Sequence, residues 1–377
     1  MPALFVYGTL CHRPLLDLVA GPGLATRDAE LADHAVYWAE GGSFPLIRAE
    51  AGATARGVLL RPDASAMERL DFYEGGFDYT TRVLAVRAAD GEMVEAQVYF
   101  PAPGRFVAGE PWDLELWRQR WAATAVRAAD RFMAAIGTRD AAAMAARYQQ
   151  MLIAAASAER AAPGGPTALR RRAAPGDVAV AARHEPYAHF FSVEEYDLAF
   201  RRFDGTQSAT VNRAAFVSGD AVTVLPYDPV RDRVMLVEQF RAGAYARGDS
   251  QPWVLEPIAG RIDAGETPQE AACREAVEEA HLALGALHPV GSYYPSPGAV
   301  SEYLYSYVAL AELPDGAAGI GGVAEEAEDI RAHVIGYADL QALVASGEAE
   351  NGPLLISALW LAAHRDRLRA EAGVGGN

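Results

Sequence analysis

The side chains with the clearest chemical potential are three carboxylates, at Glu275, Glu278 and Glu279. Their i, i+3 and i+4 spacing puts all three on one face of a helix. Like charges at this spacing repel each other, at a cost of about 0.2–0.5 kcal/mol a pair, and we find no interleaved base. A hard divalent cation would remove that cost, because clustered carboxylate oxygens are the ligands that Mg²⁺ prefers. The spacing therefore predicts a magnesium site on a helix.

The residues before these acids predict where their helix begins. Thr267 is an N-cap, Pro268 takes the first helical position, and Glu270 completes a capping box. The other side of the helix is expected to be apolar and to pack on a sheet. That face consists of Cys273, Ala276, Val277 and Ala280.

Over its whole length, the segment 260–282 resembles the Nudix hydrolase box. The matching positions are Gly260, Glu266, Arg274, Glu275, Ala276, Glu278 and Glu279. His281 departs from the pattern, since the family usually has Gly there. We expect His281 in the turn after the helix, because His tolerates a left-handed backbone better than most residues. The alternative to this resemblance is an acidic, solvated helix face without chemistry.

The resemblance implies a metal-assisted hydrolysis of a nucleoside diphosphate joined to a second moiety. Two or three Mg²⁺ ions would bridge the diphosphate and help to activate water. Their implied ligands are the carbonyl of Ala259 and the carboxylates of Glu275, Glu278, Glu279 and Glu328. Glu326 would be the general base, with Glu279 also essential for catalysis. Glu266 and Arg274 would form an ion pair that orients the ligand carboxylates.

Three further stretches resemble ADP-ribose pyrophosphatases within the Nudix hydrolases. They are residues 237–241, 296–298 and 325–331. By this resemblance, Arg241 would hold phosphate or ribose, and Phe190 or Phe191 would stack on adenine together with Arg213. The counterpart of Arg213 in the family reaches across a swapped dimer, so a homodimer is expected. The implied substrate is a small-molecule nucleotide, either ADP-ribose, which is split to AMP and ribose 5-phosphate, or a related nucleoside diphosphate sugar.

A second set of motifs lies near the N-terminus and resembles the gamma-glutamylcyclotransferase-like family. It comprises Tyr7-Gly8-Thr9-Leu10 after a buried strand and residues 70–75, which end in Glu74-Gly75. The resemblance implies that the loop formed by Tyr7, Gly8, Thr9 and Leu10 presents backbone N–H groups to a substrate carboxylate. Glu74 would shuttle a proton while the substrate closes to 5-oxoproline. The alternative is a plain strand and turn, with Glu74 as an exposed loop acid.

Composition limits the function classes. The formal net charge of −17 argues against a nucleic-acid surface, which needs a basic stripe. All 33 basic residues are Arg, which excludes a catalytic Lys. Cys11 and Cys273 cannot form a CxxC site, and so few cysteines favour a reducing, cytoplasmic compartment. We find neither a signal-peptide pattern nor an apolar run of about 18 residues, so no membrane association is expected.

The length of 377 residues predicts two domains. We predict an α+β small barrel at 1–112, a helical extension at 113–162, a linker at 163–182, and an α/β/α Nudix sandwich with a mixed sheet at 183–372. In the first part, strands are expected at 3–7, 35–38, 55–60, 79–87 and 94–100, and helices at 14–19 and 65–72, the latter capped by Ser65 and Glu68. In the second part, strands are expected at 208–216, 221–226, 234–239, 253–258, 303–310 and 331–335, and helices at 337–346 and 353–369.

Two other functions fit the same sequence. One is a Nudix fold that serves as a nucleotide sensor beside a scaffold domain, although a sensor would be expected to have a degraded box. The other is a cyclotransferase with an accessory Nudix domain. Among Nudix proteins of this size, those called tellurite-resistance proteins are similar in their domain order. The sequence offers no physical reason for tellurite handling, since two cysteines do not define a dithiol site.

Overall fold

The computed structural model describes residues 3–322 and 328–374. The chain forms two compact units, with the division between Ala168 and Leu169. The finer boundaries at residues 112, 162 and 182 stay predictions. Within the described residues, no helix combines the length and the apolar character needed to cross a membrane.

The first unit is built on a small closed barrel, as predicted. Its described strands are β1 (Ala3–Val6), β2 (Thr26–Ala39), β3 (Pro45–Leu60), β4 (Tyr79–Ala88), β5 (Met93–Pro101) and β6 (Ala108–Pro111). The barrel closes in the order β1-β3-β2-β4-β5 and back to β1, and β6 pairs with the outer part of β2. β1 runs parallel to β5, whereas its pairing with β3 is antiparallel. Buried side chains such as Phe5, Val86 and Val98 fill the interior.

β2 and β3 are much longer than expected, because polar and exposed residues interrupt their hydrophobic pattern. The two strands pair with each other over most of their length. Backbone pairing therefore defines these strands, and an apolar run marks only their buried ends.

Helices form the rest of the regular structure described in this unit. They are α1 (Arg13–Ala20), α2 (Ala64–Gly75), α3 (Leu114–Arg120), α4 (Ala122–Met133), α5 (Ala141–Ala145) and α6 (Tyr148–Ala161), and a 3-10 turn spans Thr9–Cys11. The predicted Ser65 cap is wrong: Asp63 caps α2, because its carboxylate accepts the Ala66 N–H at 2.8 Å. Glu74 therefore lies in the last turn of α2 rather than in a loop.

The second unit contains two sheets. A three-stranded antiparallel sheet consists of β7 (Val178–Ala188), β8 (Ser192–Phe200) and β9 (Val211–Val217), and β7 begins inside the expected linker. The larger, mixed sheet consists, in its described part, of β10 (Ala221–Asp228), β11 (Arg233–Phe240), β12 (Trp253–Glu256), β13 (Ile258–Arg261), β14 (Leu287–Tyr293), β15 (Leu304–Leu310), β16 (Ile320–Gly321) and β17 (Ile330–Gly336). Central β10 is parallel to β15 and antiparallel to β13.

Helices lie on both faces of the mixed sheet. They are α8 (Pro268–Ala280), α9 (Tyr337–Ser346) and α10 (Gly352–Glu371). A further short helix, α7 (Ala242–Arg247), contains no buried residue. Ala271, Ala272 and Ala276 of α8 share one core with Val222 and Ile258 of the sheet. α9 and α10 contribute to a second core, which contains Leu340, Leu361, Leu225 and Leu236. Alternate residues of β10 belong to the two cores, so the sheet is sandwiched between helices, as predicted.

Candidate active sites

The acidic helix begins and ends as the sequence predicts. Thr267 Oγ1 accepts the Glu270 N–H at 3.2 Å, and the Glu270 carboxylate accepts the Thr267 N–H at 2.8 Å. These two bonds form the capping box at the start of α8. At the other end, His281 adopts a left-handed backbone with φ of +51°. The turn that we expected at His281 is therefore confirmed.

The orientation of α8 differs from the prediction. Cys273 is exposed and Val277 is 55% exposed, so these two residues do not pack on the sheet. Glu279, by contrast, is only 2% exposed. Alanine side chains on one edge of α8 pack against the sheet, and the side chains of Glu275 and Glu279 turn inward beside them. These alanines are Ala271, Ala272 and Ala276. Small alanine side chains let the helix approach closely enough to enclose the carboxylates of its neighbouring positions.

β13 lies directly over the two inward carboxylates. The Ala259 N–H donates to Glu279 Oε2 at 3.2 Å. A Cβ added at Gly260 would lie 1.9 Å from Glu275 Oε1, closer than any real Cβ contact. Glycine at 260 therefore leaves the space that the Glu275 carboxylate occupies. The structure places the Ala259 backbone beside Glu279, where a metal role of its carbonyl stays a prediction.

Arg274 lies among the acids, contrary to the expected absence of an interleaved base. Its Nη1 donates to Glu275 Oε1 at 2.6 Å and to Glu278 Oε2 at 2.9 Å. Its Nε and Nη2 donate to the two Glu266 oxygens at 2.8 and 3.0 Å. Nη2 also donates to the Arg261 carbonyl at 2.8 Å. A planar guanidinium can satisfy several acceptors at once, so Arg274 orients the carboxylates of both Glu275 and Glu278.

Burial and mutual repulsion raise the proton affinity of the inward acids. Burial raises the pKa of Glu279 to about 8. The hydrogen bond from the Ala259 N–H opposes this shift, and the charges of Glu275 and Glu328 add to it. Burial likewise raises the pKa of Glu275 to about 7. The positive charge and the hydrogen bond of Arg274 oppose this shift, and the charges of Glu278 and Glu328 add to it. Acids with such perturbed pKa values mark a candidate functional site.

β16 and the residue that follows it, Gly322, come close to the C-terminal end of α8. The Gly322 N–H donates to the Glu278 carbonyl at 3.1 Å. A Cβ at Gly321 would lie 2.1 Å from the Glu279 carbonyl oxygen, so a side chain there has no space. The charge of Glu328 acts on both Glu275 and Glu279. The predicted ligand Glu328 therefore lies near the acidic helix, whereas the predicted base Glu326 lies outside the described residues.

The donor set is chemically suited to Mg²⁺. Buried carboxylates that repel one another gain from a divalent cation, and their oxygens are the atoms that Mg²⁺ binds. Within residues 3–322 and 328–374, no three His, Cys, Asp or Glu side chains are already arranged to hold a metal ion. Arg274 holds Glu275 and Glu278 through one nitrogen. A cation would compete with Arg274 for these two carboxylates.

The predicted substrate residues differ in their surroundings. Arg241 donates through Nε to Glu256 Oε2 at 2.7 Å, and its charge acts on Glu279. Glu256 also accepts the Asn351 amide at 2.8 Å, which holds the pair in place. Arg213 is exposed on β9, and its Nη1 donates to the Asn212 carbonyl at 2.8 Å. The structure thus places Arg241 near Glu279. Within the described residues, it shows no contact between Arg213 and the acidic side chains of α8.

Arg261 is a residue that sequence reasoning missed. Its guanidinium carbon lies 4.0 Å from the centre of the Phe190 ring and 4.9 Å from that of Phe191. Arg261 immediately follows Gly260, so this aromatic pair lies beside the end of β13. Burial raises the pKa of Glu302, while Arg261 and Arg241 oppose that shift. The position of Arg261 directly after Gly260 of the box was the sequence signal that could have identified it.

A cavity of about 100 Å³ in the first unit brings the N-terminal motifs together. The predicted loop residues Tyr7, Gly8, Thr9 and Leu10 line it, and so does Glu74. Burial raises the pKa of Glu74 to about 7, which suits a group that accepts and returns a proton near neutral pH. Glu74 is therefore not an exposed loop acid.

Gly8 has a different structural role from the expected one. A Cβ at position 8 would lie 2.2 Å from Pro45 Cγ, so Gly8 lets the loop pack against β3. Close approach of the loop to a substrate carboxylate stays a prediction.

Several tyrosines complete this cavity, and sequence reasoning did not assign them to it. They are Tyr73, Tyr79, Tyr99 and Tyr148. The Tyr99 hydroxyl donates to Asp71 Oδ1 at 2.7 Å, and the Tyr7 hydroxyl donates to the Tyr99 carbonyl at 2.8 Å. Tyr148 comes from the predicted helical extension at 113–162. Tyr73 directly precedes Glu74 in the predicted motif 70–75, whereas only folding brings the other three tyrosines to the cavity.

Known proteins are similar to each half of the chain. A family profile for gamma-glutamyl cyclotransferase, AIG2-like, matches residues 4–119, and the profile for the NUDIX domain matches residues 217–355. The ADP-ribose pyrophosphatase of Escherichia coli (strain K12) is 41% identical over 195 residues, which is 52% of this chain and 92% of that protein. The ADP-ribose pyrophosphatase of Haemophilus influenzae is 35% identical over 187 residues, which is 49% of this chain and 86% of that protein.

A relative with a different named substrate is also similar. The GDP-mannose pyrophosphatase of Pectobacterium atrosepticum is 29% identical over 168 residues, which is 45% of this chain and 85% of that protein. Together with the acidic helix and the sandwich fold, these similarities define a hydrolase with an additional barrel domain. The chain belongs to the Nudix family and carries a gamma-glutamyl cyclotransferase-like domain before its Nudix domain.

Proposed function

We propose that the Nudix unit hydrolyses the diphosphate of ADP-ribose, with Mg²⁺, to AMP and ribose 5-phosphate. The observation that carries this proposal is the pair of buried carboxylates, Glu275 and Glu279, beneath Ala259 and Gly260. The two relatives named ADP-ribose pyrophosphatase support the choice of nucleotide. GDP-mannose is the competing nucleoside diphosphate sugar, because a less similar relative carries that name.

In this proposal, the acids of α8 are the metal ligands. Glu275, Glu278 and Glu279, with Glu328 and the Ala259 carbonyl, would hold Mg²⁺. When bound, the metal neutralises charge on the diphosphate and favours attack by water. Arg274, itself held by Glu266, keeps the carboxylates of Glu275 and Glu278 close together until a cation takes its place on them.

The remaining predicted residues act on the substrate itself. Arg241 is held by Glu256, and its charge acts on Glu279. In this position, Arg241 would bind a phosphate or the ribose of the substrate. Glu326 would be the general base that takes a proton from the attacking water. Phe191 or Phe190 would stack on the adenine ring, which offers a face to any aromatic neighbour.

A panel of nucleoside diphosphate sugars tests the substrate. Purified full-length protein with Mg²⁺ is given ADP-ribose, GDP-mannose or other nucleoside diphosphate sugars, and the released nucleoside monophosphate is measured. We expect the highest kcat/KM with ADP-ribose and AMP as the nucleotide product. A higher kcat/KM with GDP-mannose would overturn the choice of ADP-ribose, and no hydrolysis of any compound would overturn the whole proposal.

We further propose a homodimer in which Arg213 of one subunit reaches the substrate of the other. The exposure of Arg213 on β9 supports this proposal. Within the described residues, its guanidinium donates a hydrogen bond to the carbonyl of the adjacent Asn212. Light scattering at micromolar concentration measures the mass in solution. A fully active monomer would contradict the dimer.

A second function is proposed for the first unit, because the cavity brings Glu74 to the Tyr7–Leu10 loop. The α-amine nitrogen of a γ-glutamyl compound would attack its own γ-carbonyl carbon. That step forms the lactam bond of 5-oxoproline and breaks the bond to the leaving amine. Glu74 would take the proton from the attacking nitrogen and give it to the leaving nitrogen. Its pKa of about 7 supports both transfers.

Release of 5-oxoproline tests this second function. Wild-type protein and Glu74→Gln are compared with γ-glutamyl amines, γ-glutamyl amino acids and glutathione. We expect release by the wild type and a loss of about 10²–10⁴-fold in the variant, the usual contribution of a general base. Absence of release from every compound by the wild type would refute the cyclotransferase activity and leave the Nudix proposal untouched.

A further inference from the structure

The cavity of the first unit extends beyond the barrel that the family profile matches. The matched region ends at residue 119, whereas Ala125 on α4 and Tyr148 on α6 also line the cavity. Tyr148 is 74 positions after Glu74 in the chain, yet the negative charge of Glu74 acts on its hydroxyl. The helical extension is therefore part of the cavity wall.

The extension is packed tightly against the helix that carries Glu74. Phe132 on α4 is fully buried, and its ring centre lies 5.3 Å from that of Tyr73 and 5.6 Å from that of Phe77. A Cβ at Gly76 would lie 2.7 Å from the Ala141 carbonyl oxygen, so the backbone after α2 touches the start of α5. Close packing of this kind holds Tyr148 in a defined position relative to Glu74.

Tyr148 is paired with the residue that precedes Glu74. The hydroxyl oxygens of Tyr148 and Tyr73 lie 3.1 Å apart, within hydrogen-bond distance. One of the two hydroxyls donates to the other, which leaves the second O–H able to donate to a further acceptor. The ring of Tyr148 also lies 4.9 Å from that of Phe77, edge to face. Burial raises the pKa of Tyr148 to about 12, so the hydroxyl stays protonated near neutral pH.

The other lining residues limit what can occupy the cavity. Among the described residues that line it, Glu74 is the acid and none is basic, while aromatic rings form much of the wall. A ligand with a polar group near Glu74 therefore needs neutral partners for its acceptor atoms. The Tyr73–Tyr148 hydroxyl pair is such a partner, because a tyrosine O–H donates to a carbonyl oxygen.

We propose that Tyr148, supplied by the appended helix α6, is a positioning residue of this cavity. Together with Tyr73, it donates a hydrogen bond to the carbonyl of a γ-glutamyl ligand and so holds that group beside Glu74. This inference rests on the proposed second function for its ligand class. It extends that function to a helix outside the matched family region.

Two pairs of variants test the inference. Tyr148→Phe removes the hydroxyl and keeps the ring, and Tyr37→Phe is its control, because the Tyr37 hydroxyl bonds Glu50 at 2.7 Å outside the cavity. Ala125→Leu fills space in the cavity from α4, and Ala123→Leu is its control, because Ala123 is exposed on the same helix. Thermal melting shows whether each variant is folded.

The measurements are KM and kcat for 5-oxoproline release, and binding of 5-oxoproline itself by isothermal calorimetry. Tyr148→Phe should raise KM and weaken 5-oxoproline binding by about three- to tenfold, the usual effect of losing one neutral hydrogen bond. Ala125→Leu should weaken binding further by steric exclusion. Both controls should behave as the wild type does.

The outcomes separate the two proposals. If the wild type binds 5-oxoproline but releases none from any substrate, the cyclotransferase activity fails and the binding comparison still decides the role of Tyr148. Unchanged KM and binding in a folded Tyr148→Phe protein would overturn the inference even if the wild type is active. If the wild type neither binds nor turns over any of these compounds, both proposals are wrong.

Discussion

Glu279→Gln is the most direct test of the electrostatics of the acidic helix. Glu279 is 2% exposed, and burial raises its pKa from an ordinary 4.5 to about 8. The folded protein therefore keeps a proton that the unfolded chain releases above a pH of about 4.5. The stability that this proton provides is complete below that pH and is lost as the pH rises towards about 8.

The magnitude follows from the size of this shift. Each unit of pKa difference corresponds to about 1.36 kcal/mol. Between about pH 5 and about pH 8, the wild type without metal should lose about 3 kcal/mol of its free energy of unfolding through Glu279. Gln is neutral, and its side-chain oxygen can still accept the Ala259 N–H. The variant should therefore lack this pH dependence, and at about pH 8 it should be the more stable protein by a similar amount.

Differential scanning calorimetry in the presence of EDTA measures the effect. For a unit of this size, about 3 kcal/mol corresponds to an increase of about 6–12 °C in the Tm of the Nudix unit at pH 8. Added Mg²⁺ should raise the Tm of the wild type and should have little effect on Glu279→Gln. Pyrophosphatase turnover should fall by at least about 10²-fold, because a metal ligand is lost. Glu348→Gln, whose carboxylate is exposed, serves as the control.

Three results would refute this reasoning. If the wild type shows no loss of stability between pH 5 and pH 8, Glu279 does not hold its proton as the burial implies. If Glu279→Gln turns over substrate at nearly the wild-type rate, the carboxylate is not a metal ligand. A variant that melts below the wild type at both pH values would show that the carboxylate stabilises the fold in its charged form.

Three further predictions address single residues. Glu326→Gln should lower kcat by about 10²–10⁴-fold with little change in substrate affinity, and stopped-flow binding with single-turnover kinetics separates the two effects. Gly260→Ala should displace the Glu275 carboxylate and lower both Mg²⁺ affinity, measured by calorimetry, and turnover, because its Cβ would lie 1.9 Å from Glu275 Oε1. Gly8→Ala should destabilise the first unit by about 1–3 kcal/mol in urea unfolding, since its Cβ would lie 2.2 Å from Pro45 Cγ; an unchanged midpoint would show that the loop moves freely.

Local sequence patterns predicted the elements that short-range chemistry controls. The start of α8 follows from Thr267, Pro268 and Glu270, because a capping box involves only residues within one turn. The left-handed turn at His281 also follows from its position after the helix. α9 matched its predicted bounds at Tyr337–Ser346, since its helical pattern is continuous. The ordered Nudix and cyclotransferase motifs were enough to assign both families.

Longer strands and one helix cap were less predictable. β2 and β3 extend far beyond their apolar segments, because pairing between neighbouring strands stabilises exposed residues too. Ser65 and Asp63 are both suitable caps, and the choice of Asp63 depends on where the chain leaves β3. Periodicity alone does not contain that information.

What the sequence determined by itself is the set of reactive groups: three acids at helical spacing, their Arg, and Glu74 beside a glycine turn. Tertiary structure decided the environment of each group. The close approach of α8 to the sheet buries Glu279 and leaves Val277 exposed, which the helix pattern assigned the other way. The packing of α6 brings Tyr148 within 3.1 Å of Tyr73, although the two are far apart in the chain. The physical reason is that proton affinity and ligand access depend on burial and on distant neighbours, which exist only once the chain has folded.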